Sequence, residues 1–306
     1  MSTRLSSLVL WLATVKPFRH HQFMNITQAL AGSDQLKATS ESPAVDVELL
    51  LCHAIDHSRT FLFTRPEYEL TAEQQQLFDA LLIRRKAGEP VAHLTGSRGF
   101  WTLDLEVNAT TLIPRPDTEC LVEKALELLT ESRARVIDLG TGSGAIALAL
   151  ASERPGWQVI GVDRVADAVR LAEKNRCQLG LDNVEILQGS WLEPVTGKFD
   201  MIVSNPPYID PQDPHLSQGD VRFEPLSALV ADEAGLADIR EIAKQAGQRL
   251  KVGGWLVFEH GYEQAETVRN LITELGYRCV DSAQDLAGND RITWGAWMQE
   301  IDSAER

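Results

Sequence analysis

Two short segments contain residues whose types and spacing could do chemistry. Residues 138–144 (DLGTGSG) join an apolar strand to an apolar helix, and their glycines permit a tight turn and a close approach of the backbone to a ligand. Residues 205–208 (NPPY) follow a second apolar strand, and the double proline bars both helix and ladder pairing there. Both segments lie at the carboxyl ends of predicted parallel strands, the edge where open α/β sheets bind ligands.

The glycine-rich segment alone leaves the kind of ligand open. Gly140, Gly142 and Ala145 also match the looser GxGxxG/A pattern of dinucleotide-binding proteins, and a purely structural turn is a third interpretation. Asp163 ends the next strand, about 20 residues beyond the loop, where an acid can bind the ribose of a dinucleotide or of a nucleoside. It could also be a solvated acid or a cap for the next helix. Asp163 therefore indicates a ribose without identifying the cofactor.

The segment at residues 205–208 is more specific. The side-chain amide of Asn205 offers both a donor and an acceptor, and the Pro206 carbonyl offers a second acceptor. Tyr208 adds an aromatic face, so the segment could hold a planar NH2 group. A plain turn is the alternative, because Asn and Pro both favour turns, but the four-residue match after an apolar strand favours the NH2 site.

Composition and charge exclude some classes of protein. The chain has 306 residues, 44% of them apolar and 24% charged, which suggests about two ordinary globular domains. Lys and Arg number 29 against 44 Asp and Glu, and the net charge of −15 has the wrong sign for non-specific capture of nucleic acid. The longest apolar run spans residues 8–15, well short of the roughly 20 residues needed to cross a bilayer.

Cysteine usage predicts a reducing, cytoplasmic location. The four cysteines are far apart, with no CxxC pair and no histidine at ligand spacing, which argues against a zinc site and a disulfide framework. They are Cys52, Cys120, Cys177 and Cys279. We therefore expect no metal, no membrane partner and no direct contact with nucleic acid.

Residues 1–23 differ in pattern from the remainder of the chain. Arg4 followed by an apolar stretch has the outline of a signal peptide, yet Lys16 and Pro17 stand where a small-residue cleavage site would be. We favour an N-terminal extension upstream of a start at Met24 over an export signal.

A small helical domain is expected at residues 24–90. Residues 44–55 and 72–85 carry apolar side chains at spacings of three and four, and Thr71 with Gln74 forms a capping-box pattern. The next region, residues 91–116, should be a linker. In it, residues 91–96 (VAHLTG) and 100–107 (FWTLDLEV) predict paired strands joined through residues 96–99, followed by the proline-bracketed turn at residues 113–117.

Residues 117–306 predict an α/β domain. Apolar strand segments alternate with amphipathic helices, which is typical of a largely parallel sheet with helices on both faces. Five strands are expected at residues 135–140, 158–163, 184–189, 199–205 and 255–260, and four helices at residues 145–152, 166–179, 236–250 and 262–275. Two further strands, at residues 277–285 and 291–297, should form an antiparallel hairpin that completes a seven-stranded sheet.

The two glycine- and proline-rich segments resemble those of S-adenosylmethionine-dependent methyltransferases that modify amide or exocyclic nitrogen. The NPPY segment occurs in adenine-DNA methyltransferases and in protein glutamine methyltransferases. The helical N-terminal domain, residues 113–119 (IPRPDTE) and residues 222–225 (RFEP) narrow the resemblance to the bacterial release factor glutamine methyltransferase family. This resemblance covers about residues 24–297.

The resemblance implies a Rossmann-like methyltransferase fold, S-adenosylmethionine as the methyl donor, and an acceptor in class 1 peptide chain release factors. The acceptor would be the glutamine of their Gly-Gly-Gln motif, whose methylation supports translation termination. Asn205 and Pro206 would be catalytic and, with Pro207 and Tyr208, would hold this glutamine. The donor would be bound by Gly140, Thr141, Gly142, Ser143, Gly144, Asp163, Trp191 and Asn205.

Four residues keep two interpretations each. Trp191 would lie beside the adenine of the donor, or be an ordinary half-buried Trp. Arg115 and Glu119 would lie near the mouth of the active site, or form a structural ion pair. His260, at a predicted strand end, could be a base, but it is more simply a hydrogen-bonded residue.

Four other functions share parts of this pattern. A glutamine methyltransferase acting on a ribosomal protein would share every motif, whereas an adenine-DNA methyltransferase is disfavoured by the negative charge and by the lack of a recognisable DNA-reading domain. A non-catalytic adaptor would fail to bind S-adenosylmethionine. A dinucleotide-dependent oxidoreductase would bind NAD at the glycine-rich segment.

Overall fold

The structure is a computed structural model that describes residues 24–298, so the extension expected at residues 1–23 lies outside the described residues. The described chain forms two compact units, one of residues 24–37 and 42–82 and the other of residues 38–41 and 83–298. The domain boundaries at residues 90 and 116 stay predictions. Within residues 24–298, no helix is long and apolar enough to cross a membrane.

The first unit is helical, as the sequence predicts. Its helices are α1 (Ile26–Leu30), a 3-10 turn (Ala31–Leu36), α2 (Pro43–Ile55), α3 (Arg59–Thr64) and most of α4 (Ala72–Lys86). At the start of α4, the Gln74 N–H donates to Thr71 Oγ1 at 3.2 Å and the Thr71 N–H donates to Gln74 Oε1 at 2.9 Å. The expected capping box is therefore confirmed, and it satisfies two backbone groups that the helix itself leaves without partners.

The strand expected at residues 91–96 is wrong, because Val91–Thr95 forms a short helix, α5. Gly96, with φ at +73°, ends the helix in the left-handed conformation, and the Thr95 hydroxyl donates back to the Val91 carbonyl at 3.0 Å. A segment this short carries too little periodicity to distinguish a helix from a strand.

The hairpin itself is present, but it is formed by β1 (Ser97–Phe100) and β2 (Leu103–Glu106). Phe100 pairs with Leu103, so the chain turns at residues 101–102 and not at residues 96–99. Phe100 and Leu105 are buried in the same apolar cluster as Leu121, Val136 and Leu148, which belong to the second unit. The hairpin therefore contributes to the core of the second unit, of which it is a part.

The main sheet has seven strands in the order β5-β4-β3-β6-β7-β9-β8, and its strands from β5 to β7 are parallel. Their bounds are β3 (Arg135–Leu139), β4 (Gln158–Asp163), β5 (Val184–Gln188), β6 (Phe199–Ser204), β7 (Leu250–Glu259), β8 (Tyr277–Gln284) and β9 (Asp290–Trp297). β9 pairs antiparallel with both β7 and β8. The expected topology is confirmed, including the closing hairpin.

One strand boundary differs from its prediction by more than one residue, because β7 begins at Leu250 and not at residue 255. Phe199 pairs with Leu250 while Met201 pairs with Trp255, so an irregularity in the ladder absorbs the intervening residues. Gly253 and Gly254 have the composition of a loop, which is why the sequence indicated a helix end and a turn at this point.

Helices cover both faces of the sheet. They are α6 (Glu119–Leu128), α7 (Ala145–Glu153), α8 (Ala166–Leu179), the single turn α9 (Asp232–Gly235), α10 (Ala237–Arg249) and α11 (Ala265–Glu274). Successive residues of β3 enter different cores: Val136 is buried with α6 and α7, and Ile137 is buried with α10 and α11. This burial on both faces explains why the strand segments are continuously apolar.

The strand order determines where a crevice for a ligand lies in the sheet. From β3 the chain first adds β4 and β5 on one side, and then places β6 on the other side of β3. In open α/β sheets the ligand crevice lies at the carboxyl ends of the strands, where the order reverses. Here that point falls between β3 and β6, directly beside residues 138–144 and 205–208.

Candidate active site

A cavity opens at the carboxyl ends of β3, β4, β5 and β6. Most of the residues that the sequence assigned to a donor or an acceptor line its wall: Gly140, Thr141, Gly142, Ser143, Asp163, Trp191, Asn205 and Pro207. Gly144, Pro206 and Tyr208 do not belong to this wall, although all three adjoin residues that do. The structure therefore brings the two segments together around one space.

The wall also includes residues that the sequence did not single out. Thr111 and Leu112 precede the proline-bracketed turn, Ser190 precedes Trp191, and residues 227–228 lie in the long connection after β6. Thr118 belongs to the quoted segment IPRPDTE, but no role followed from its type alone. A threonine after a turn carries no signal of the side chain that it will contact.

Left-handed backbone shapes the glycine-rich loop. Gly140, Gly142 and Gly144 have φ values of +74°, +55° and +89°, a region that residues with a Cβ rarely adopt. The N–H groups of Gly140 and Thr141 both donate to the Val162 carbonyl, at 2.8 and 3.0 Å. These two hydrogen bonds hold the loop against the end of β4.

Asp138, near the end of β3, hydrogen-bonds to the loop and to the helix that follows it. Its side chain is fully buried, and Oδ2 accepts hydrogen bonds from the Thr141 hydroxyl at 2.6 Å and from the Ala147 N–H at 3.2 Å. Burial raises the pKa of Asp138 to about 7, although both hydrogen bonds favour the charged form. One carboxyl group thus links the strand, the loop and the first turn of α7.

Asp163 makes two hydrogen bonds within the protein and also lines the cavity. Its Oδ2 accepts from the Gly142 N–H at 3.0 Å, and its Oδ1 accepts from the Val165 N–H at 2.9 Å, just before α8 begins. It therefore fastens the loop and supports the helix start. Each carboxylate oxygen can accept more than one hydrogen bond, and because Asp163 also lines the cavity, it retains acceptor capacity for hydroxyl groups of a ligand.

Trp191 is half-buried, and its contacts are partly those of a core residue. Its ring packs at the edge of the cluster under α10 and α11, and the residue also lines the cavity. A Cβ added at Gly140 would stand 3.6 Å from the Trp191 ring, so the ring reaches across to the glycine-rich loop. The residue has a φ of +47°, which is unusual for a bulky side chain.

Asn205 lines the cavity, and its side chain contains an acceptor without a hydrogen-bond partner in the described chain. Its Nδ2 donates to the Thr118 hydroxyl at 3.2 Å, whereas its Oδ1 is buried without a hydrogen-bond partner among residues 24–298. Leaving a buried acceptor without a partner costs about 1–3 kcal/mol. A ligand that brings an N–H or O–H donor to this oxygen would recover that cost.

Tyr208 is held behind the cavity wall. Its hydroxyl donates to Glu259 Oε1 at 3.3 Å, and its carbonyl accepts from Gln264 Nε2 at 3.1 Å. Burial raises the pKa of Tyr208 well above its ordinary value, so the hydroxyl stays protonated. Burial also raises the pKa of Glu259 to about 7.

Arg115 and Glu119 have separate partners in the described part of the chain. Arg115 donates to both carboxylate oxygens of Glu224, at 2.8 and 2.9 Å, and the Glu224 side chain has no exposed surface. Glu119 Oε1 accepts a hydrogen bond from the backbone N–H of Trp101 at 2.8 Å. The structural ion pair is therefore between Arg115 and the segment RFEP, while Arg115 also lines the cavity.

His260 is confirmed as a hydrogen-bonded strand-end residue. It is fully buried, Nδ1 lies 2.9 Å from the Gly261 carbonyl, and Nε2 lies 2.7 Å from the Thr293 hydroxyl. The carbonyl requires the proton on Nδ1, so Nε2 is the acceptor of the Thr293 hydroxyl. Neither ring nitrogen is available as a base.

Comparison with known proteins gives two matches to family models. Residues 30–96 match the model described as the PrmC N-terminal domain, and residues 130–305 match a methyltransferase domain. The release factor glutamine methyltransferase of Escherichia coli K12 is 56% identical over 266 residues, which cover 87% of this chain and 96% of that protein. That of Vibrio cholerae is 51% identical over 276 residues, which cover 89% of this chain and 96% of that protein.

Solved structures show the same fold at low sequence identity. A methyltransferase from Pyrococcus furiosus has a TM-score of 0.51 at 18% identity, covering 72% of this chain and 98% of that one. The catalytic domain of hMettl16, solved with an RNA hairpin, has a TM-score of 0.53 at 16% identity, covering 66% of this chain and 77% of that one. These likenesses support the fold and nothing finer.

Two glycines of the loop give a matched test of its packing. An alanine at Gly142 or Gly144 would cost about 1–2 kcal/mol for the left-handed backbone alone. A Cβ at Gly142 meets only Thr111 Cβ, at 3.8 Å, whereas a Cβ at Gly144 stands 2.9 Å from Leu148 Cδ1 and 3.3 Å from Ala172 Cβ. We expect Gly144→Ala to lower the free energy of unfolding by about 1–3 kcal/mol more than Gly142→Ala, measured by urea denaturation. Equal losses would contradict the packing described here.

Proposed function

The chain belongs to the release factor glutamine methyltransferase family, and on this premise we propose that it methylates the side-chain amide nitrogen of the Gly-Gly-Gln glutamine in class 1 release factors. The methyl donor is S-adenosylmethionine. One observation carries the proposal: Asn205 lines the cavity beside the glycine-rich loop, and its Oδ1 is buried without a hydrogen-bond partner in the described chain. The NH2 group of a glutamine is a donor of the kind that this oxygen lacks.

The residues at the carboxyl edge of the sheet fit the proposed donor. Asp163 lines the cavity with acceptor capacity for ribose hydroxyls, and Trp191 offers an aromatic face for an adenine. Residues 140–144 present backbone with few side chains, which suits the methionine part of the donor. When bound, the donor supplies a methyl group activated by a positively charged sulfur.

The mechanism that we propose depends mainly on positioning. An amide nitrogen is a poor nucleophile because its lone pair is delocalised into the carbonyl group. Asn205 Oδ1 and the Pro206 carbonyl accept hydrogen bonds from the substrate NH2 group, which aligns the nitrogen with the methyl carbon and stabilises the positive charge that develops on it. Pro207 and Tyr208 complete the site for the glutamine side chain.

The transfer itself balances without a further reactant. The amide nitrogen attacks the methyl carbon, a nitrogen–carbon bond forms, and the electron pair of the broken carbon–sulfur bond stays on sulfur. The methylated nitrogen then loses its extra proton to water. A nucleophilic side chain, a metal or a strong base has no part in this scheme.

The first experiment compares acceptors directly. Purified protein is incubated with S-adenosylmethionine and, in parallel, with a class 1 release factor, ribosomal proteins and duplex DNA, and the mass shifts are located by peptide. One methyl group on the Gly-Gly-Gln glutamine is the expected result. A methyl group on another glutamine would keep the mechanism and change the partner, whereas methylated adenine would refute the proposal.

Two substitutions separate acceptor binding from donor binding. Asn205→Ala removes the acceptor oxygen, so turnover should fall by roughly 10² or more, while donor binding should stay nearly intact because the other residues proposed to bind the donor are unchanged. Asp163→Ala removes charged hydrogen bonds worth about 1.5–3 kcal/mol, so the Kd for S-adenosylmethionine should rise about tenfold or more. Turnover comes from single-turnover assays and Kd from calorimetry. Wild-type turnover in Asn205→Ala would refute its role.

The helical domain, with the boundaries 24–90 expected from the sequence, is proposed to recognise the body of the release factor. The match of residues 30–96 to a family model for the PrmC N-terminal domain supports a role shared within the family. Its surface offers apolar side chains for such a contact, among them Phe63, which is 63% exposed on α3. We propose that the modification takes place in the cytoplasm, a location supported by the free thiols of all four cysteines.

Replacing Phe63 tests this recognition role. Phe63→Ser should raise KM for the intact release factor about tenfold, the size of a single important interface contact. It should leave KM unchanged for a short Gly-Gly-Gln peptide, which lacks the body of the factor. Val252→Ser is the matched control, because Val252 is also exposed but lies in β7. An equal rise in KM for the intact factor and for the peptide would contradict the proposal that the helical domain recognises the body of the release factor.

A further inference from the structure

We propose that Thr111 is a further binding residue for the methyl donor, and that its hydroxyl donates a hydrogen bond to the carboxylate of the donor's methionine part. The inference deepens the proposed function and rests on it, because that function assigns S-adenosylmethionine to the cavity. Thr111 lines this cavity, although it belongs to neither the glycine-rich segment nor the NPPY segment.

The Thr111 hydroxyl lacks a hydrogen-bond partner inside the protein. The residue is 2% exposed, and its Oγ1 is buried without a partner among residues 24–298. Roughly nine-tenths or more of buried polar groups in proteins have a partner. Six side-chain atoms of the described chain are exceptions, and two of the six belong to residues that line the cavity, namely Asn205 and Thr111. The proposed function already gives Asn205 a partner from a ligand.

Two other threonines of the cavity wall show the ordinary situation. The Thr141 hydroxyl donates to Asp138 Oδ2 at 2.6 Å, and the Thr118 hydroxyl accepts from Asn205 Nδ2 at 3.2 Å. Both residues are buried much as Thr111 is, at 5% and 4% exposure. Burial at this wall therefore does not by itself deprive a hydroxyl of its partner.

Thr111 stands opposite the glycine-rich loop. A Cβ built at Gly142 would lie 3.8 Å from Thr111 Cβ, and apart from the chain neighbours of Gly142 no other heavy atom of the described chain lies within 4 Å of that point. Since Gly142 also lines the cavity, the Thr111 side chain bounds the space beside this glycine. The loop is proposed to hold the methionine part of the donor, so this is the part that Thr111 can reach.

The charges of the wall favour the carboxylate of that part over its amino group. The charged residues that line the cavity are two arginines, Arg115 and Arg164, and one acid, Asp163. Arg115 bonds to Glu224, but within the described chain its hydrogen bonds use Nη2 alone, out of a guanidinium with five N–H donors. A hydroxyl that donates to a carboxylate also forms a charge-assisted hydrogen bond, which is stronger than a neutral one.

An unpartnered buried hydroxyl destabilises the ligand-free protein, because its lost hydration is offset only when a ligand binds. Thr111→Val keeps the shape of the side chain and replaces the hydroxyl by a methyl group. The ligand-free variant should therefore melt about 2–4 °C higher than wild type, measured by differential scanning calorimetry. An unchanged or lower melting temperature would mean that the hydroxyl has a partner in the free protein, such as an ordered water, and would overturn the proposal.

The affinity for the donor should change in the opposite direction. S-adenosylmethionine is titrated by calorimetry without an acceptor, so that binding is measured and no methyl group is transferred. Thr111→Val should raise the Kd about tenfold, the effect of one hydrogen bond to a charged group. Thr111→Ser keeps a hydroxyl and should stay within about threefold of wild type. A wild-type Kd in Thr111→Val would overturn the proposal.

A truncated ligand locates the hydrogen bond on the donor. Decarboxylated S-adenosylmethionine keeps the sulfonium, the amino group, the ribose and the adenine, and lacks only the carboxylate. Wild type and Thr111→Val should bind it with the same Kd. If Thr111→Val weakens the binding of both ligands equally, the hydroxyl does not bond to the carboxylate, and the proposal is overturned.

A second buried threonine controls for general effects of losing a hydroxyl. Thr293 is fully buried, its hydroxyl lies 2.7 Å from His260 Nε2 and 2.7 Å from Ser282 Oγ, and it does not line the cavity. Thr293→Val should lower the melting temperature and leave the Kd for S-adenosylmethionine unchanged. Equal rises of this Kd in Thr293→Val and Thr111→Val would reduce the effect to a general disturbance and so overturn the proposal.

The two levels of failure are distinguishable. If wild-type protein does not bind S-adenosylmethionine, or if Asp163→Ala binds it as tightly as wild type, the proposed donor site fails. If wild type binds it and Asp163→Ala binds it more weakly, but Thr111→Val has the wild-type Kd, only the role of Thr111 fails.

Discussion

The candidate site depends on the pairing of β3 with β6. Ser204 aligns with Leu139 in this parallel ladder, and the Ser204 hydroxyl donates to the Leu139 carbonyl at 2.7 Å, which ties the two strands together at their last residues. The glycine-rich loop leaves one strand and the NPPY segment leaves the other, immediately beyond this bond. The two segments are more than 60 residues apart in the sequence, so no local preference could bring them together. The site is a consequence of the strand order, and each segment needs only to leave its strand in the right direction.

Two buried carboxyl groups hydrogen-bond to residues of these segments. Asp138 at the end of β3 holds the glycine-rich loop, and Glu259 at the end of β7 lies behind the NPPY segment. Burial raises the pKa of each to about 7, which means that the fold gives up favourable hydration of a charge at both places. A buried acid is worth this cost where a backbone or an amide must be held in one orientation, because a carboxylate accepts several hydrogen bonds in fixed directions.

The sequence predicts the sheet and the two segments well, since long apolar strands and helices leave a strong periodic pattern. It also predicts the capping box at Thr71, because that motif is local. It fails for α5, where five residues are too few for a periodic signal, and for the turn of the hairpin between β1 and β2. The pairing of Arg115 with Glu224 spans 109 positions, and an excess of acidic residues offers many partners of equal charge. Thr118 belongs to the segment IPRPDTE, but its hydrogen bond to Asn205 spans 87 positions, so no local pattern could predict it.

The residues of the candidate site are divided between two pairs of strands. Asp138, Asp163 and the glycine-rich loop lie at the ends of β3 and β4, whereas Asn205, Tyr208 and Glu259 lie at the ends of β6 and β7. Solved methyltransferases with 16–18% identity share the fold, and one of them is in complex with an RNA hairpin. The fold does not determine the acceptor, so the acceptor proposed for this chain depends on the individual side chains at the ends of β6 and β7. Thr118 and Arg115 reach the cavity from the segment before α6 and are bonded to Asn205 and Glu224. The segment IPRPDTE therefore hydrogen-bonds both to Asn205, immediately after β6, and to Glu224, in the long connection that follows, so it holds two parts of that connection against the cavity.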